Sequence, residues 1–338
     1  MSDLFSFGLG TSTRNAAGDI LDTWYPLPLK QPEGAIAEAA QRIGNQDRAG
    51  PGEATLAADA LEAGGQPIAA SAYRMLAELD QPLTAVLLEA DEDIASAPQA
   101  YLKLHLLSHR LALPNTLNLN GIFEHLPTVA WTSQGPVDPS AIPARLVAAR
   151  AAGEHLTVYA VDKFPRMTDY VIPSGVRIAD SSRVRLGAYV GDGTTVMHEG
   201  QINFNAGALG PNMVEGRISQ GVVLGSHSDL GGSASTMGTL SGGGEIVISI
   251  GEQCLVGANA GCGIPLGDRC TIEAGLYITA GTVVQVLDES STVVRTVKAR
   301  DLAGQNDMLF IRHSQTGKVQ CRTNRRAIEL NVRLHAHN

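Results

Sequence analysis

The chain has 338 residues, of which 44% are apolar and 17% charged, and this composition excludes a disordered protein. Its formal net charge of −9 argues against nucleic acid as the main partner, because binding phosphates requires clustered cations. No apolar stretch approaches the roughly 18 residues of a membrane-spanning helix, and the first residues lack a signal-peptide pattern. We therefore predict a cytoplasmic protein with no membrane partner.

Residues 1–113 are rich in Ala and Leu and predict a mostly helical domain. The clearest helix spans about 97–112 and ends before Pro114. His105 and His109 lie four residues apart on it, a spacing that can bind a metal. Because neither an HExxH pattern nor a third ligand accompanies them, we interpret both as packing or surface residues.

Residues 114–171 predict a connecting α/β segment, with strands at TVAWTS and HLTVYAVD on either side of a helix. With residues 1–113 it makes an N-terminal α/β domain. At the other end of the chain, residues 285–338 predict a small β-rich segment. Its last residues, RRAIELNVRLHAHN, read as a closing helix or an extended tail.

Residues 172–284 are organised by a period of six. Branched aliphatic side chains recur at Ile172, Ile178, Val184, Val190, Val196 and Ile202. The frame resumes at Ile250 and Val256 and continues, after a four-residue offset, at Leu266, Ile272 and Ile278. A short fixed period indicates stacked units. We predict coils of three short strands, about 18 residues long, whose aliphatic residues point inward and whose backbones form parallel ladders.

The repeat is interrupted at about 203–249, where Val214, Leu224 and Leu230 can still stack inside coils. Breaks in a regular scaffold are where functional sites are expected. The four cysteines contain no CxxC pair, and three of them lie eight residues apart inside the repeat region. They are interpreted as reduced packing residues, which fits a reducing cytoplasm.

Nine sequence blocks resemble the tetrahydrodipicolinate N-succinyltransferase family, strongly over 160–338. They are DKFPRMTDY, GVRIADSSRVRLGAY, TTVMHEG, NFNAGALG, MVEGRIS, STMGTLSGGG, GANAGCGIPLGDR, EAGLYITAGT and VKARDL. The resemblance implies a mainly β fold with a left-handed parallel β-helix. It also implies succinyl transfer from succinyl-CoA to the amino group of L-2-amino-6-oxopimelate, and a homotrimer with active sites between neighbouring subunits.

The resemblance assigns roles to individual residues. Glu215 matches the catalytic glutamate, which acts as a base or forms an acyl anhydride, and Gly238 matches a backbone donor to the oxyanion. The succinyl-CoA contacts are Arg217, Gly232, Ser235, Ala258, Glu273, Ala274, Gly281, Lys298, Ile311, Arg312, His313 and Ser314. Among them, Lys298 and Arg312 suit the phosphates of CoA, and Arg217 suits a carboxylate.

Glu199 resembles a position that holds Mg²⁺ on the trimer axis in some relatives. Those relatives also supply an aspartate where this chain has Ser182, with Asp180 nearby. This departure weakens the prediction of a metal. Arg183 and Arg185 are further candidates for binding the dicarboxylic substrate, although alternation on a strand could equally place them on a solvated face.

Three other functions remain open from the residues alone. Another hexapeptide acyltransferase, acting on an amino sugar or amino acid, could use His198 or His227 as its base. A metal-dependent hydratase of the γ-carbonic-anhydrase type needs three converging histidines, and the repeat region has only these two. A non-enzymatic β-helix would carry a regular outward Thr array, which this sequence lacks.

Overall fold

The computed structural model describes residues 4–238 and 247–323. Contacts along the chain divide it into two compact units. The first consists of Met1–Ala112, Thr116–Pro165 and Asp169–Val171, and the second of Leu113–Asn115, Arg166–Thr168 and Ile172–Asn338. No helix among the described residues is long and apolar enough to cross a membrane. The predicted closing element at 325–338 lies outside the described residues.

The first unit mixes helices and antiparallel strands. Its strands are β1 (Ser6–Arg14), β2 (Ile20–Trp24), β3 (Leu29–Lys30), β4 (Gln46–Ala49), β5 (Leu83–Leu88), β6 (Val129–Thr132), β7 (Gly135–Val137) and β8 (Val158–Asp162). Its α-helices are α1 (Gly34–Ile43), α2 (Pro51–Ala63), α3 (Pro67–Ala77), α4 (Ala97–Ser108), α5 (Ile122–His125) and α6 (Ile142–Ala151). A short 3₁₀ helix, Pro139–Ala141, precedes α6.

The prediction of a mostly helical N-terminal domain was incomplete, because β1 to β5 form a five-stranded sheet there. Strand β1 was missed because Gly8 and Gly10 are poor strand formers. Both glycines are needed for close packing: a Cβ on Gly10 would lie 1.9 Å from the carbonyl oxygen of Trp24. The helix predicted at 97–112 ends earlier, at Ser108, because Arg110 adopts a left-handed φ of 62°.

His105 is a core residue of the first unit, as the sequence indicated. Its Nδ1–H donates to the carbonyl of Tyr101 at 2.7 Å, and its Nε2 accepts from the backbone N–H of Tyr25 at 3.3 Å. Burial lowers the pKa of His105 to about 3, so the imidazole is neutral at pH 7. Both ring nitrogens of His105 are thus occupied by hydrogen bonds to the backbone, and neither is free to bind a metal.

The second unit is a column of short strands followed by two hairpin strand pairs. Its strands are β9 (Arg177–Ile178), β10 (Ala188–Val190), β11 (Thr195–Val196), β12 (Gln201–Ile202), β13 (Ala206–Ala208), β14 (Met213–Val214), β15 (Arg217–Ile218), β16 (Val223–Leu224), β17 (Asp229–Leu230), β18 (Ser235–Thr236), β19 (Ser249–Ile250), β20 (Leu255–Val256), β21 (Gly261–Gly263), β22 (Thr271–Ile272), β23 (Tyr277–Thr279), β24 (Val283–Leu287), β25 (Val293–Lys298), β26 (Met308–Arg312) and β27 (Val319–Thr323). The 3₁₀ helices are Met167–Asp169, Ser181–Arg183 and Ala299–Leu302.

The strands of the column belong to three sheets that the chain visits in turn. Sheet A has the order β10-β13-β16-β19, and sheet C has the order β12-β15-β18-β21-β23. Sheet B runs β9-β11-β14-β17-β20-β22 and continues through β26, β27, β24 and β25. Neighbouring strands within the column are parallel, which confirms the predicted ladder.

Coil length varies along the column. Thr195 pairs with Met213, 18 residues later, which is the predicted spacing. The next coils are two residues shorter, because the chain takes only four residues from one inward side chain, Val214, to the next, Ile218. Val223 pairs with Ser249, 26 residues later, because an insertion follows β18. The predicted break at 203–249 is therefore one shortened turn and one insertion within continuous coils.

The inward aliphatic residues form the core of the column. All of the following are at most 3% exposed: Val184, Val190, Val196, Ile202, Val214, Ile218, Leu224, Leu230, Ile250, Val256, Leu266, Ile272, Ile278 and Val284. The predicted four-residue offset before Leu266 is confirmed by its bridge to Ile250. Ile172 was wrongly predicted to point inward. It is 81% exposed because it precedes β9, the first strand of the column.

The cysteines fill the same core. All four are free and buried, as predicted. Cys254 and Cys270 lie in adjacent coils, and the backbone N–H of Cys270 donates to Cys254 Sγ at 3.2 Å. Burial raises the pKa of Cys262 to about 12, so this thiol is protonated and unreactive at neutral pH.

Candidate active site

Six of the predicted site residues lie along one edge of the column, where the chain passes from sheet B to sheet C. We call this line the B–C edge. Residues far apart in sequence stack on it because each coil returns to the same corner. In successive coils it carries Glu199, Glu215, Gly232, Ala258 and the pair Glu273 and Ala274.

Glu215 occupies the shortened turn between β14 and β15. Its backbone N–H donates to the carbonyl of Leu230 at 2.9 Å, which holds it to the next coil. The side chain is half-buried. A Cβ on Gly232 would lie 3.8 Å from Glu215 Oε2, so glycine leaves space beside the carboxylate. This is a carboxylate fixed by a rigid backbone and open to a substrate.

Arg217 and Ser235 lie side by side on the outer face of sheet C, as register partners in β15 and β18. Arg217 Nη2 donates to Ser235 Oγ at 3.1 Å, and the guanidinium is exposed. Arg217 begins β15, two residues after Glu215 in the shortened turn, so the cation and the candidate catalytic carboxylate lie on neighbouring parts of the same coil. A guanidinium in this position can bind a carboxylate.

Gly238 lies on a different edge, where the chain leaves sheet C for sheet A after β18. We call this line the C–A edge. A Cβ on Gly238 would lie 3.2 Å from the carbonyl oxygen of Gln220 and 3.4 Å from Ser219 Cβ, in the coil beneath. Glu215 and Gly238 are therefore separated by the width of sheet C, and one chain does not bring them together.

Gly281 and Lys298 lie together at the far end of the C–A edge. Gly281 is exposed after β23, and the N–H of Ala299 donates to the carbonyl of Thr282 at 2.8 Å. Lys298 pairs with Val283 in the β24–β25 hairpin, and its side chain is exposed. The predicted succinyl-CoA contacts thus include residues on both edges and on the face of sheet C between them.

The remaining contacts, Ile311 to Ser314, end β26 and begin the turn to β27. The structure joins them to the B–C edge, since the backbone N–H of Arg312 donates to Glu273 Oε2 at 2.7 Å. His313 Nδ1 lies 3.2 Å from the backbone nitrogen of Thr316 and orders the turn. The Arg312 guanidinium is exposed, and its Nη1 donates to the carbonyl oxygen of Gly317 at 3.4 Å. A guanidinium at this end of the column can bind an anionic ligand.

Glu199 lies on the B–C edge two coils below Gly232 and is exposed. Its Oε2 accepts a hydrogen bond from Ser233 Oγ at 3.1 Å. Asp180 accepts from the N–H and the hydroxyl of Ser182 at 2.9 and 2.6 Å, and these bonds hold the pKa of Asp180 below its usual range. Among the described residues no group of three or more His, Cys, Asp or Glu could hold a metal ion.

The other predicted candidates are dispersed. His198 is exposed on the B–C edge beside Glu199, whereas His227 lies on the turn from sheet A to sheet B. Arg185 Nη1 donates to Asn203 Oδ1 at 3.1 Å, so this arginine is committed to the neighbouring coil. Arg183 is half-buried in a 3₁₀ helix.

Two residues at the site were missed by sequence reasoning. Ser233, already noted as a donor to Glu199, has a left-handed φ of 58°. Tyr277 lies flat on the outer face of sheet C, where a Cβ on Gly261 would be 2.2 Å from its ring. The signal for Ser233 is its place three residues after the inward Leu230, as Glu199 follows Val196, although the shortened turn moves Leu230 out of the six-residue frame. Gly261 is the register partner of Tyr277, a pairing that only the structure shows.

Known proteins are similar to this chain over nearly its whole length. Residues 126–166 match the family model "Tetrahydrodipicolinate N-succinyltransferase middle", and residues 247–280 match "Hexapeptide repeat of succinyl-transferase". A 2,3,4,5-tetrahydropyridine-2,6-dicarboxylate N-succinyltransferase from Pseudomonas paraeruginosa is 58% identical over 99% of both chains. The enzyme of that name from Vibrio cholerae is 53% identical over 99% of both chains.

A solved structure from Campylobacter jejuni is also similar. It is described as a putative 2,3,4,5-tetrahydropyridine-2-carboxylate N-succinyltransferase. It superimposes with a TM-score of 0.84 at 30% identity, covering 97% of this chain and 94% of the other. Since relatives match over almost the full length at well above 30% identity, the chain belongs to the tetrahydrodipicolinate N-succinyltransferase family.

Proposed function

We propose that this protein transfers the succinyl group of succinyl-CoA to the amino group of L-2-amino-6-oxopimelate, the open form of tetrahydrodipicolinate. The products are N-succinyl-2-amino-6-oxopimelate and CoA, in diaminopimelate and lysine biosynthesis. Full-length similarity to N-succinyltransferases is the observation that carries this proposal. The exposed Arg217, two residues after the half-buried Glu215, supports it, because the acyl donor and the acceptor both carry carboxylates.

The chemistry requires a group that removes a proton from the attacking amine. In the direct route the amine nitrogen bonds to the succinyl carbonyl carbon, and the carbon–sulfur bond breaks. CoA leaves as the thiolate, and the amine proton passes to the Glu215 carboxylate. In the alternative route the Glu215 carboxylate first attacks the thioester carbonyl, the carbon–sulfur bond breaks, and CoA leaves as the thiolate from an acyl anhydride. The amine nitrogen then bonds to the succinyl carbonyl carbon, and the released Glu215 carboxylate takes the amine proton. Both routes use the same carboxylate, with the Gly238 N–H as donor to the oxyanion.

We further propose that the column is a left-handed parallel β-helix and that three copies assemble into a cytoplasmic homotrimer. The separation of Glu215 and Gly238 on two edges of one chain supports the trimer, because neighbouring subunits can then supply the two groups. Four free, buried cysteines fit a reducing compartment. We assign residues 1–113 and 114–171 to the N-terminal region, 172–284 to the acyltransferase column and 285–338 to a C-terminal β-rich segment.

A magnesium ion held by Glu199 on the trimer axis stays a prediction, and the oxygen atoms that could ligate it fit a magnesium site poorly. One oxygen of Glu199 accepts from Ser233. The second carboxylate expected of relatives is replaced by Ser182, and Asp180 is already hydrogen-bonded to that serine. A hard divalent cation prefers several free carboxylate oxygens. No step of the reaction proposed above passes through a metal.

A thiol-release assay tests the proposed activity against that of another hexapeptide acyltransferase. We expect succinyl-CoA with aminopimelate to give a kcat/KM at least about 10-fold above that with acetyl-CoA, because only the succinyl group can pair with Arg217. Arg217→Gln is expected to remove this preference. Arg177 is an exposed arginine on sheet B, and the control variant Arg177→Gln is expected to keep the preference. Faster turnover of acetyl-CoA, or of an amino sugar, would favour the alternative function.

A further inference from the structure

The shortened turn that carries Glu215 brings together side chains from the coils on either side of it. Val196, Val214 and Leu230 are ladder partners in three successive coils. Glu199 lies three residues after Val196, and Ser233 lies three residues after Leu230. Two ladder steps separate them by about 9.5 Å of backbone, and their side chains span this gap to form a 3.1 Å hydrogen bond.

Ser233 also contacts the shortened turn through its backbone. Its N–H donates to the carbonyl oxygen of Glu215 at 3.3 Å. The preceding residue, Gly232, is the one whose absent Cβ leaves room beside Glu215 Oε2. Ser233 holds a left-handed φ of 58°, a conformation that usually selects glycine or asparagine. A serine here gains a hydroxyl that reaches Glu199, at a cost in backbone energy.

We propose that Glu199 and Ser233 are positioning residues, whose hydrogen bond across the shortened turn holds Glu215 in place. In this chain the bond takes the place of a metal at Glu199. The inference rests on the proposed function, in which Glu215 is the catalytic carboxylate. A hydrogen bond to an ionised acceptor is strong enough to restrict one turn of a coil without being needed for folding.

The test uses the full chain with four variants at the two positions. We expect Ser233→Ala and Glu199→Ala each to lower kcat about fivefold with KM for both substrates unchanged. A fivefold change is about 1 kcal/mol, the contribution of one typical hydrogen bond. The double variant is expected to be no worse than either single variant. Glu199→Gln keeps an acceptor for the Ser233 hydroxyl, and is expected to restore more than half of wild-type kcat.

Ser291→Ala is the matched control, because Ser291 is an exposed serine with a left-handed φ of 64° in the β24–β25 turn. It should match wild type. Adding a chelator should leave wild-type kcat unchanged. The contrary result would be that Ser233→Ala keeps wild-type kcat while activity is lost on adding the chelator or in Glu199→Gln. That result would identify Glu199 as a metal ligand and overturn the inference.

Thermal unfolding separates failure of this inference from failure of the proposed function. If the wild type transfers no succinyl group, the proposed function fails, and the hydrogen bond is then judged from melting temperatures alone. Ser233→Ala and Glu199→Ala should each lower Tm by about 2 °C, with no further fall in the double variant. Additive changes in Tm would show that the two side chains do not interact.

Discussion

Replacing Glu215 with alanine is expected to lower kcat for succinyl transfer about 10³-fold, because the amine would lose its proton acceptor in the transition state. The same change also removes the nucleophile of the anhydride route, so the prediction holds for both. The fold should persist, since Glu215 is held to its neighbours through its backbone N–H and carbonyl. Steady-state thiol release and a circular dichroism melt would measure the two effects.

Glu252→Ala provides the control for this experiment. Glu252 is also a glutamate at a turn of the column, but it lies between β19 and β20 on the edge from sheet A to sheet B. It is exposed. We expect its alanine variant to turn over at the wild-type rate. Wild-type kcat in Glu215→Ala would remove Glu215 from the reaction, whichever route operates.

Truncating one inward residue of the column should cause the largest loss of stability. Ile272 is fully buried between β20 and β26 in sheet B. Ile272→Ala is expected to lower the free energy of unfolding of the column by about 3–4 kcal/mol, through lost burial and the cavity left behind. Urea denaturation followed by circular dichroism would measure the change.

The same substitution at Ile172 provides a control, because this residue shares the six-residue frame and is 81% exposed. Ile172→Ala should change stability by no more than about 0.5 kcal/mol. Similar losses at the two positions would mean that the frame does not decide which side chains are buried. A large loss at Ile172 alone would reverse the assignment of the inward face.

Much of the column could be predicted from sequence because its period reports directly on burial. One aliphatic residue in six is inward, so the frame alone placed Val196, Ile202 and Ile272 correctly. The shortened turn at Glu215 was not predicted. Val214 and Ile218 are both aliphatic, but a step of four instead of six resembles a break in the pattern. Only the ladder pairing shows that the coils continue through it.

The N-terminal sheet was less predictable because strand formation there depends on packing rather than on propensity. Gly8 in β1 is required by the side chains of Tyr25 and Leu102, which a Cβ would meet at 2.8 Å. Strand β5, with the sequence LTAVLL, has the composition of a helix. Both segments gain their strand geometry from each other, through the antiparallel ladder that joins Ser6 to Leu88.

The candidate site was predicted residue by residue from family resemblance, while its arrangement required the structure. The fold puts Glu215 and Gly232 on a common edge. The hydrogen bond between Ser233 and Glu199 was invisible in the sequence, because the two-residue shortening between them shifts the frame. The placement of Gly238 on another edge likewise required the structure, which shows that Gly238 follows the sheet C strand of its coil.

The central claim is that one active site takes Glu215 from one subunit and Gly238 from its neighbour. It is tested most directly by mixing two inactive variants. Glu215→Ala lacks the carboxylate, and in Gly238→Val the added side chain would block the approach of the thioester. Refolded or coexpressed together, they should recover about a quarter of wild-type activity, because random assortment in a closed ring of three leaves one intact site in most trimers. A mixture as inactive as either variant alone would contradict the shared site.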